Sequence, residues 1–253
     1  MALPQFANVP GGIAVVSLKD DAKPYASYKG DRVMVIGRPG AWQAIIGIPL
    51  STKPGTYKLR VHNGTHVAIY NFDVKDKEYQ IQRITIKDKR KVNPTPLDMK
   101  RINRESKLIQ HAKAVWSDDD SVRPVLEQPL KGPYSSPFGL KRLFNGQPRK
   151  PHSGLDIVAN EGTPIKAAAS GKVINTGEYF FNGNTVFIDH GQGMITMYCH
   201  MHNIKVKEGQ EVSKGEVIGT VGRTGRVTGP HLHWSVILNK AMIDPLMFIQ
   251  TAK

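Results

Sequence analysis

The chain holds a single cysteine, Cys199, among its 253 residues. No disulfide can form within it, and any metal site must draw on histidine and carboxylate. No apolar run approaches the roughly 18 residues that read as a membrane span. Acidic residues are scarce: 21 against 35 Lys+Arg leave a formal net charge of +14. Such a surface attracts nucleic acid, anionic lipid or an acidic wall polymer, and also serves plain solubility. No known nucleic-acid module accompanies it, and no repeat or low-complexity tract is visible. Met1–Gln5 has neither the basic nor the apolar region of an export signal, so on these residues alone the expectation is cytosolic.

What is plentiful is turn residue: 24 glycines and 17 prolines favour short strands over a helical bundle. Arg32–Ile36 and Trp42–Ile48 flank Arg38-Pro39-Gly40 as a hairpin. Tyr57, Leu59 and Val61 alternate with Lys58, Arg60 and His62, and Val67–Val74 and Tyr79–Ile86 continue the pattern. These strands predict a small β-sandwich or barrel over residues 1–92, with no acid, base or ligand cluster in it.

One helix is predicted over 95–116, with Thr95 as cap, Pro96 at the first position and Asp98 completing a capping box. Ile102, Ile109, Ala112 and Trp116 fall on its apolar face, and Lys100, Arg101, Arg104 and Lys107 on the opposite one. Ser117–Ser121 and the stretch to Pro129 read as a linker, so residues 93–130 join the first unit to a third over 131–253. The fold class is mainly β.

Six of the nine histidines lie in that third unit. His231-Leu232-His233 opens a strand rich in β-formers, so both imidazoles face one side and either can bind a metal while the other stands beside it. His152 and Asp156, four apart around Gly154, suit a loop entering a strand and can reach the same ion. Two imidazoles and one carboxylate fit tetrahedral zinc with a fourth position open to water. That water is acidified towards pKa ~7, and a substrate carbonyl is polarised. His200 sits on a strand predicted over Met194–Met201, sharing a face with Thr196 and Tyr198. Cys199 is thereby expected to point away from it into a core, an unreactive thiol. His200 and the non-ligand member of the His-Leu-His pair are then the natural proton carriers. His190 and His202 read as structural or exposed.

Residues 134–248 carry ordered blocks that together resemble the lysostaphin/LytM-type zinc metallopeptidases, which cleave peptidoglycan. These blocks include Ser136-Pro137-Phe138-Gly139, His152-Ser153-Gly154-Leu155-Asp156, Asp189-His190-Gly191, Tyr198-Cys199-His200-Met201, Gly222-Arg223-Thr224-Gly225 and Thr228-Gly229-Pro230-His231-Leu232-His233. The resemblance implies His152, Asp156 and His233 as ligands of one Zn2+ per chain, and His200 and His231 as the catalytic pair. It implies a compact antiparallel β catalytic domain over 131–253 with an open groove above the metal. Pro10-Gly11-Gly12 and Gly47-Ile48-Pro49-Leu50 resemble the β-rich accessory domain that precedes this domain in exported members. The implied setting is the periplasm or cell envelope, after loss of an export signal not present in this chain.

The implied partner is peptidoglycan, with no nucleic acid and no stable membrane insertion, and a monomer is expected. Some members place a tyrosine shortly before the first ligand to hold the oxyanion; Phe144 and Asn145 stand in that stretch here. Three other functions compete, one of them nucleic-acid binding through the basic face of the helix. Relatives that lose ligands become non-enzymatic regulators of cell-wall amidases, but all five residues are present here. The turn Glu208–Gly215 resembles that of carrier modules, but no Met-Lys-Met-like attachment site accompanies it.

Overall fold

The structure is a computed structural model, and it describes residues 3–249. The hairpin around Arg38-Pro39-Gly40 forms as expected, pairing Met34–Arg38 with Ala41–Gly47, with Gly40 at φ +73° in the turn. Ile13–Leu18 adds to its far side as a third antiparallel strand. A second, four-stranded sheet joins Asp31–Arg32, Tyr25–Tyr28, Gly55–Asn63 and His66–Val74. The two sheets share a core built from Ala14, Leu18, Tyr28, Val35, Ile46, Leu59 and Phe72. Val33-Met34-Val35-Ile36 is apolar without alternation because that strand is buried on both faces. Val33 and Val35 face this shared core, whereas Met34 and Ile36 pack with Leu238 and Ile243 from the other end of the chain.

The C-terminal region is a ten-stranded sheet. Its main path runs Glu211–Val212, Gly171–Tyr179, Gly183–Asp189, Ile195–Ile204, His231–Leu238, Leu155–Val158 and Tyr134–Ser136. Every neighbouring pair on it is antiparallel. His231–Leu238 therefore lies between the strand that carries His200 and the strand that carries Asp156. One face of this sheet buries Tyr198, Trp234, Val236 and Leu155 in the central core. The other buries Phe187, Ile195, Met197, Cys199 and Ile237 beneath the helix, through Ile109 and Ala112.

The helix runs Pro96–Lys113, three residues shorter at its end than predicted. Thr95 and Asp98 make the full capping box, each side chain bonding the other's backbone N–H. Arg101 departs from its expected place on the solvent face. It turns to the sheet, where it pairs with Glu105 at 2.5 Å and donates to the Glu178 carbonyl at 3.0 Å. Buried Glu105 in turn accepts the Phe180 N–H at 2.7 Å. The helix is thus anchored to the sheet by these two hydrogen bonds and by an Arg101–Glu178 ion pair at 3.7 Å, as well as by apolar contacts.

Two segments tie the halves together. Residues 117–130 bury Val122, Leu126 and Leu130 in the central core, and Asp118 pairs with Arg32 at 2.9 Å. The strand predicted over Tyr79–Ile86 forms as Ile81–Ile84, but its partner is Lys141–Phe144, which it pairs in parallel. This edge strand brings Gln82 beside the segment that leads to His152. No described helix is long and apolar enough to cross a membrane.

Candidate metal centre

Strand register assembles the site. Asp156 and Cys199 both stand directly opposite His233 on its two neighbouring strands. Directly opposed residues share a face, so Asp156, His233 and, two residues earlier, His231 all point one way. His152 enters from the preceding loop, where Gly154 permits a close passage. A Cβ on Gly154 would lie 2.5 Å from both the Ser235 hydroxyl and the Trp234 carbonyl, and 2.8 Å from the His233 ring.

Alternation alone would send His200 to the opposite face with Tyr198. Instead the strand bulges: Asn184 pairs Met201 while Val186 pairs Tyr198, so Cys199 and His200 together face Thr185. His200 adopts φ +64°, a left-handed conformation that non-glycine residues rarely take. The expectation that Cys199 and His200 point apart is therefore corrected. The bulge puts both on the face of His233, and Met201 returns to the central core. Cys199 is buried as expected, and burial pushes its thiol up to about 12.

Three ligand atoms converge. His152 Nε2 lies 3.0 Å from Asp156 Oδ1 and 3.0 Å from His233 Nδ1, and His233 Nδ1 lies 2.7 Å from the same Oδ1. His231 Nε2 stands 3.9 Å from that oxygen. The rings of His200 and His231 are 4.9 Å apart, and those of His200 and His233 are 5.9 Å apart.

The outer nitrogens fix the tautomers. His152 Nδ1 donates to the Pro137 carbonyl at 2.8 Å, His200 Nδ1 to Thr224 at 2.9 Å, and His231 Nδ1 to Gly229 at 2.9 Å. A carbonyl only accepts, so each of these rings carries its proton outward when neutral, and its Nε2 is bare. His233 Nε2 meets the Ser235 hydroxyl at 3.0 Å, leaving Nδ1 to the site. Burial pushes His233 down to about 4 and His200 well below the usual imidazole value. For Asp156 burial works the other way, but contacts with His152 and His233 outweigh it and hold the carboxyl well below the usual range.

This donor set fits a divalent cation. The bare Nε2 of His152, the Nδ1 of His233 and a carboxylate oxygen lie within 2.7–3.0 Å of one another, a nitrogen and oxygen set that a cation can gather. A neutral His233 with its proton on Nδ1 donates to Asp156 Oδ1 while the Ser235 hydroxyl donates to Nε2, and a divalent cation takes the place of that proton. Zinc bonds of about 2.0–2.1 Å in tetrahedral geometry set ligands about 3.3 Å apart, so the triangle needs to open by only a few tenths of an ångström. His152, Asp156 and His233 could hold such an ion, and the bare nitrogens of His200 and His231 face the same place.

Arg142 is the residue that sequence reasoning missed. Its Nη2 donates to Asp156 Oδ2 at 3.1 Å, while its Nε donates to Gln82 Oε1 at 3.3 Å. Gln82 is held in turn by its bond to the Ser136 hydroxyl at 2.7 Å. The only hint in the sequence is a cluster of cations, Lys141, Arg142, Arg149 and Lys150, beside the first ligand. Asn145 faces elsewhere: its amide bonds both the N–H and the carbonyl of Ile86. His190 and His202 are structural and exposed, as expected. His190 bonds the Ser170 carbonyl and the Thr196 hydroxyl, and His202 pairs with Glu161 at the surface.

Comparison with known proteins identifies the family. Residues 150–245 match peptidase family M23, and residues 7–77 match the peptidase family M23 N-terminal domain. An M23 peptidase candidate of known crystal structure from Pseudomonas aeruginosa is 46% identical, with a TM-score of 0.82, over 96% of this chain and 95% of that one. The chain belongs to peptidase family M23. The resemblance read from the sequence blocks thus holds for both halves. Among curated relatives, the peptidoglycan DD-endopeptidase ShyC of Vibrio cholerae is 49% identical over 113 residues, 44% of this chain and 26% of that protein. The DD-carboxypeptidase/endopeptidase Mpg of Neisseria meningitidis is 41% identical over 112 residues, again 44% and 26%. The chain spans about a quarter of the length of these curated relatives.

Proposed function

We propose that this M23 protein is a zinc-dependent endopeptidase that hydrolyses peptide bonds in peptidoglycan, in the cell envelope. The observation that carries the reading is the triangle of His152, Asp156 and His233 with the bare Nε2 atoms of His200 and His231 beside it. His152, Asp156 and His233 would hold the zinc, which would supply Lewis acidity for activating a water and polarising the scissile carbonyl.

The chain's own residues do the rest. Arg142 occupies Asp156 Oδ2 and leaves Oδ1 facing His152 and His233. His231, the more exposed of the catalytic pair, presents a bare nitrogen that can take the proton of the attacking water. His200 is tied through Nδ1 to the Thr224 carbonyl, so its bare Nε2 can accept from the attacking water as well, and the proton that His231 takes is the one passed on to the leaving nitrogen. Both rings keep their Nδ1 proton throughout, so each returns to its starting tautomer. With no tyrosine in the 144–145 stretch, His231 in its protonated form would be the imidazole donor to the oxyanion. The DD-endopeptidase activity in the relatives' names favours cross-link cleavage as the bond class.

In this reading residues 1–92 are an accessory domain, 93–130 the connection and 131–253 the catalytic domain. The test is digestion of purified sacculi, followed by mass spectrometry of the released fragments. Chelation should abolish release and zinc should restore it. Verified metal-free protein that still digests at full rate overturns the proposal.

A further inference from the structure

Arg226 lies in the loop that holds His200, two residues beyond Thr224. Its backbone N–H donates to the Phe181 carbonyl at 2.8 Å, which fixes the loop against residues 180–182. Its guanidinium carbon stands 4.2 Å from the centre of the Phe181 ring and 4.6 Å from that of Phe144. The guanidinium carbon of Arg142 stands 5.9 Å from the centre of the same Phe144 ring, and Arg142 touches Asp156. Arg226 is therefore separated from Asp156 by the Phe144 ring and Arg142.

Its neighbours are cations as well, yet they are occupied. Arg142 is taken by Asp156 and Gln82. Arg149 donates to the carbonyls of Pro148 and Val92 and to the side-chain oxygens of Asn93 and Gln147. Arg226 has one side-chain bond among the described residues, to the Lys91 carbonyl at 3.3 Å, and no carboxylate within ion-pair distance. Burial, with Arg142 and Arg149 nearby, pushes it down to about 10, so it stays charged at neutral pH. A half-buried guanidinium with four free N–H donors and no counter-ion costs stability, and folding alone does not explain it. The flat faces of two phenyl rings orient its fork and leave its edge to a partner.

Building on the function proposed above, we infer that Arg226 is a specificity-determining residue that binds a free carboxylate of an acidic peptide substrate near the scissile bond. Peptide stems of bacterial wall carry such carboxylates unless they are amidated. The partner chemistry is a planar carboxylate taken by two parallel N–H donors, for which a primary amide is a poor substitute. The flanking Phe144 and Phe181 exclude water from the contact and strengthen it.

The test uses zinc-loaded protein and matched cross-linked peptides in which one carboxylate at a time is free or amidated. For the carboxylate that Arg226 reads, the wild type should show a kcat/KM ratio of acid to amide of about tenfold or more, carried mainly by KM. In Arg226→Gln the ratio should fall to near one, and Arg226→Lys should recover part of it. A ratio near one in the wild type at every position overturns the inference. So does an Arg226→Gln protein that slows on both peptides but keeps the ratio, since that is the mark of a structural role. If the protein cuts neither peptide, the proposed function fails separately. Calorimetric binding of the same peptide pairs to wild type and Arg226→Gln then decides the inference by the same ratio.

Discussion

Arg142 Nη2 holds Asp156 Oδ2 at 3.1 Å, and this bond turns a carboxylate that could swing into one that presents Oδ1 alone to His152 and His233. Partners of this kind orient a ligand without touching the ion. Arg142→Met should therefore weaken zinc affinity by about 10–100-fold, with the fold intact by circular dichroism. Competition with a fluorescent chelator measures it. Unchanged affinity would show that Asp156 is held by the triangle alone.

Gly154 tests the tightness of the loop that delivers His152. A methyl group there meets the Ser235 hydroxyl and the Trp234 carbonyl at 2.5 Å and the His233 ring at 2.8 Å. Two of those neighbours belong to the site's own support, so relief of the clash must move them. Gly154→Ala should cost about 1–3 kcal/mol in chemical denaturation and lower zinc affinity as well. A variant that loses neither stability nor affinity would place the loop further from the strand than described.

Cys199 shares a face with His200 and His233 yet is closed off beneath the helix, and burial pushes its thiol up to about 12. The thiolate is the reactive species, so an aromatic disulfide reagent should leave the native protein unlabelled at pH 8 and label one equivalent after unfolding. Rapid stoichiometric labelling of the folded protein would contradict the burial.

The helix cap offers a test away from the site. Thr95 and Asp98 bond reciprocally, and Arg90 holds the Asp98 carboxyl well below its usual range. Thr95→Ala should destabilise by about 1 kcal/mol. A depressed carboxyl stabilises the fold above its unfolded pKa, about 3.9, and that stabilisation is lost as pH falls through the lower folded value. The stability difference between wild type and Asp98→Asn should thus be largest near neutrality and shrink below about pH 4. A difference that grows with acid would reverse the assignment.

Much of the site was legible in the sequence because its parts obey local rules. His231 and His233 share a face by strand parity, and His152 enters from a loop whose Gly154 marks close passage. Thr95, Pro96 and Asp98 announced the helix start. What escaped depends on contacts between distant segments. The bulge that turns His200 arises from a register shift against Asn184 and Val186, and no residue of Tyr198–Met201 signals it. Parity therefore misplaced His200 relative to Cys199. Arg142 became visible only when its strand paired in parallel with Ile81–Ile84 and placed Gln82 at its side. Arg101 read as a solvent cation because buried Glu105, its partner, sits on the same helix face and pulls it toward the sheet.

The most direct measurement of the central claim is the zinc content of the purified protein by plasma mass spectrometry, set beside an anomalous difference map at the zinc edge. One ion per chain is expected, bonded to His152, Asp156 and His233, with His152→Ala and Asp156→Asn each losing it and His231→Ala keeping it. An ion at other residues, or full occupancy in the His152→Ala and Asp156→Asn proteins, would contradict the account.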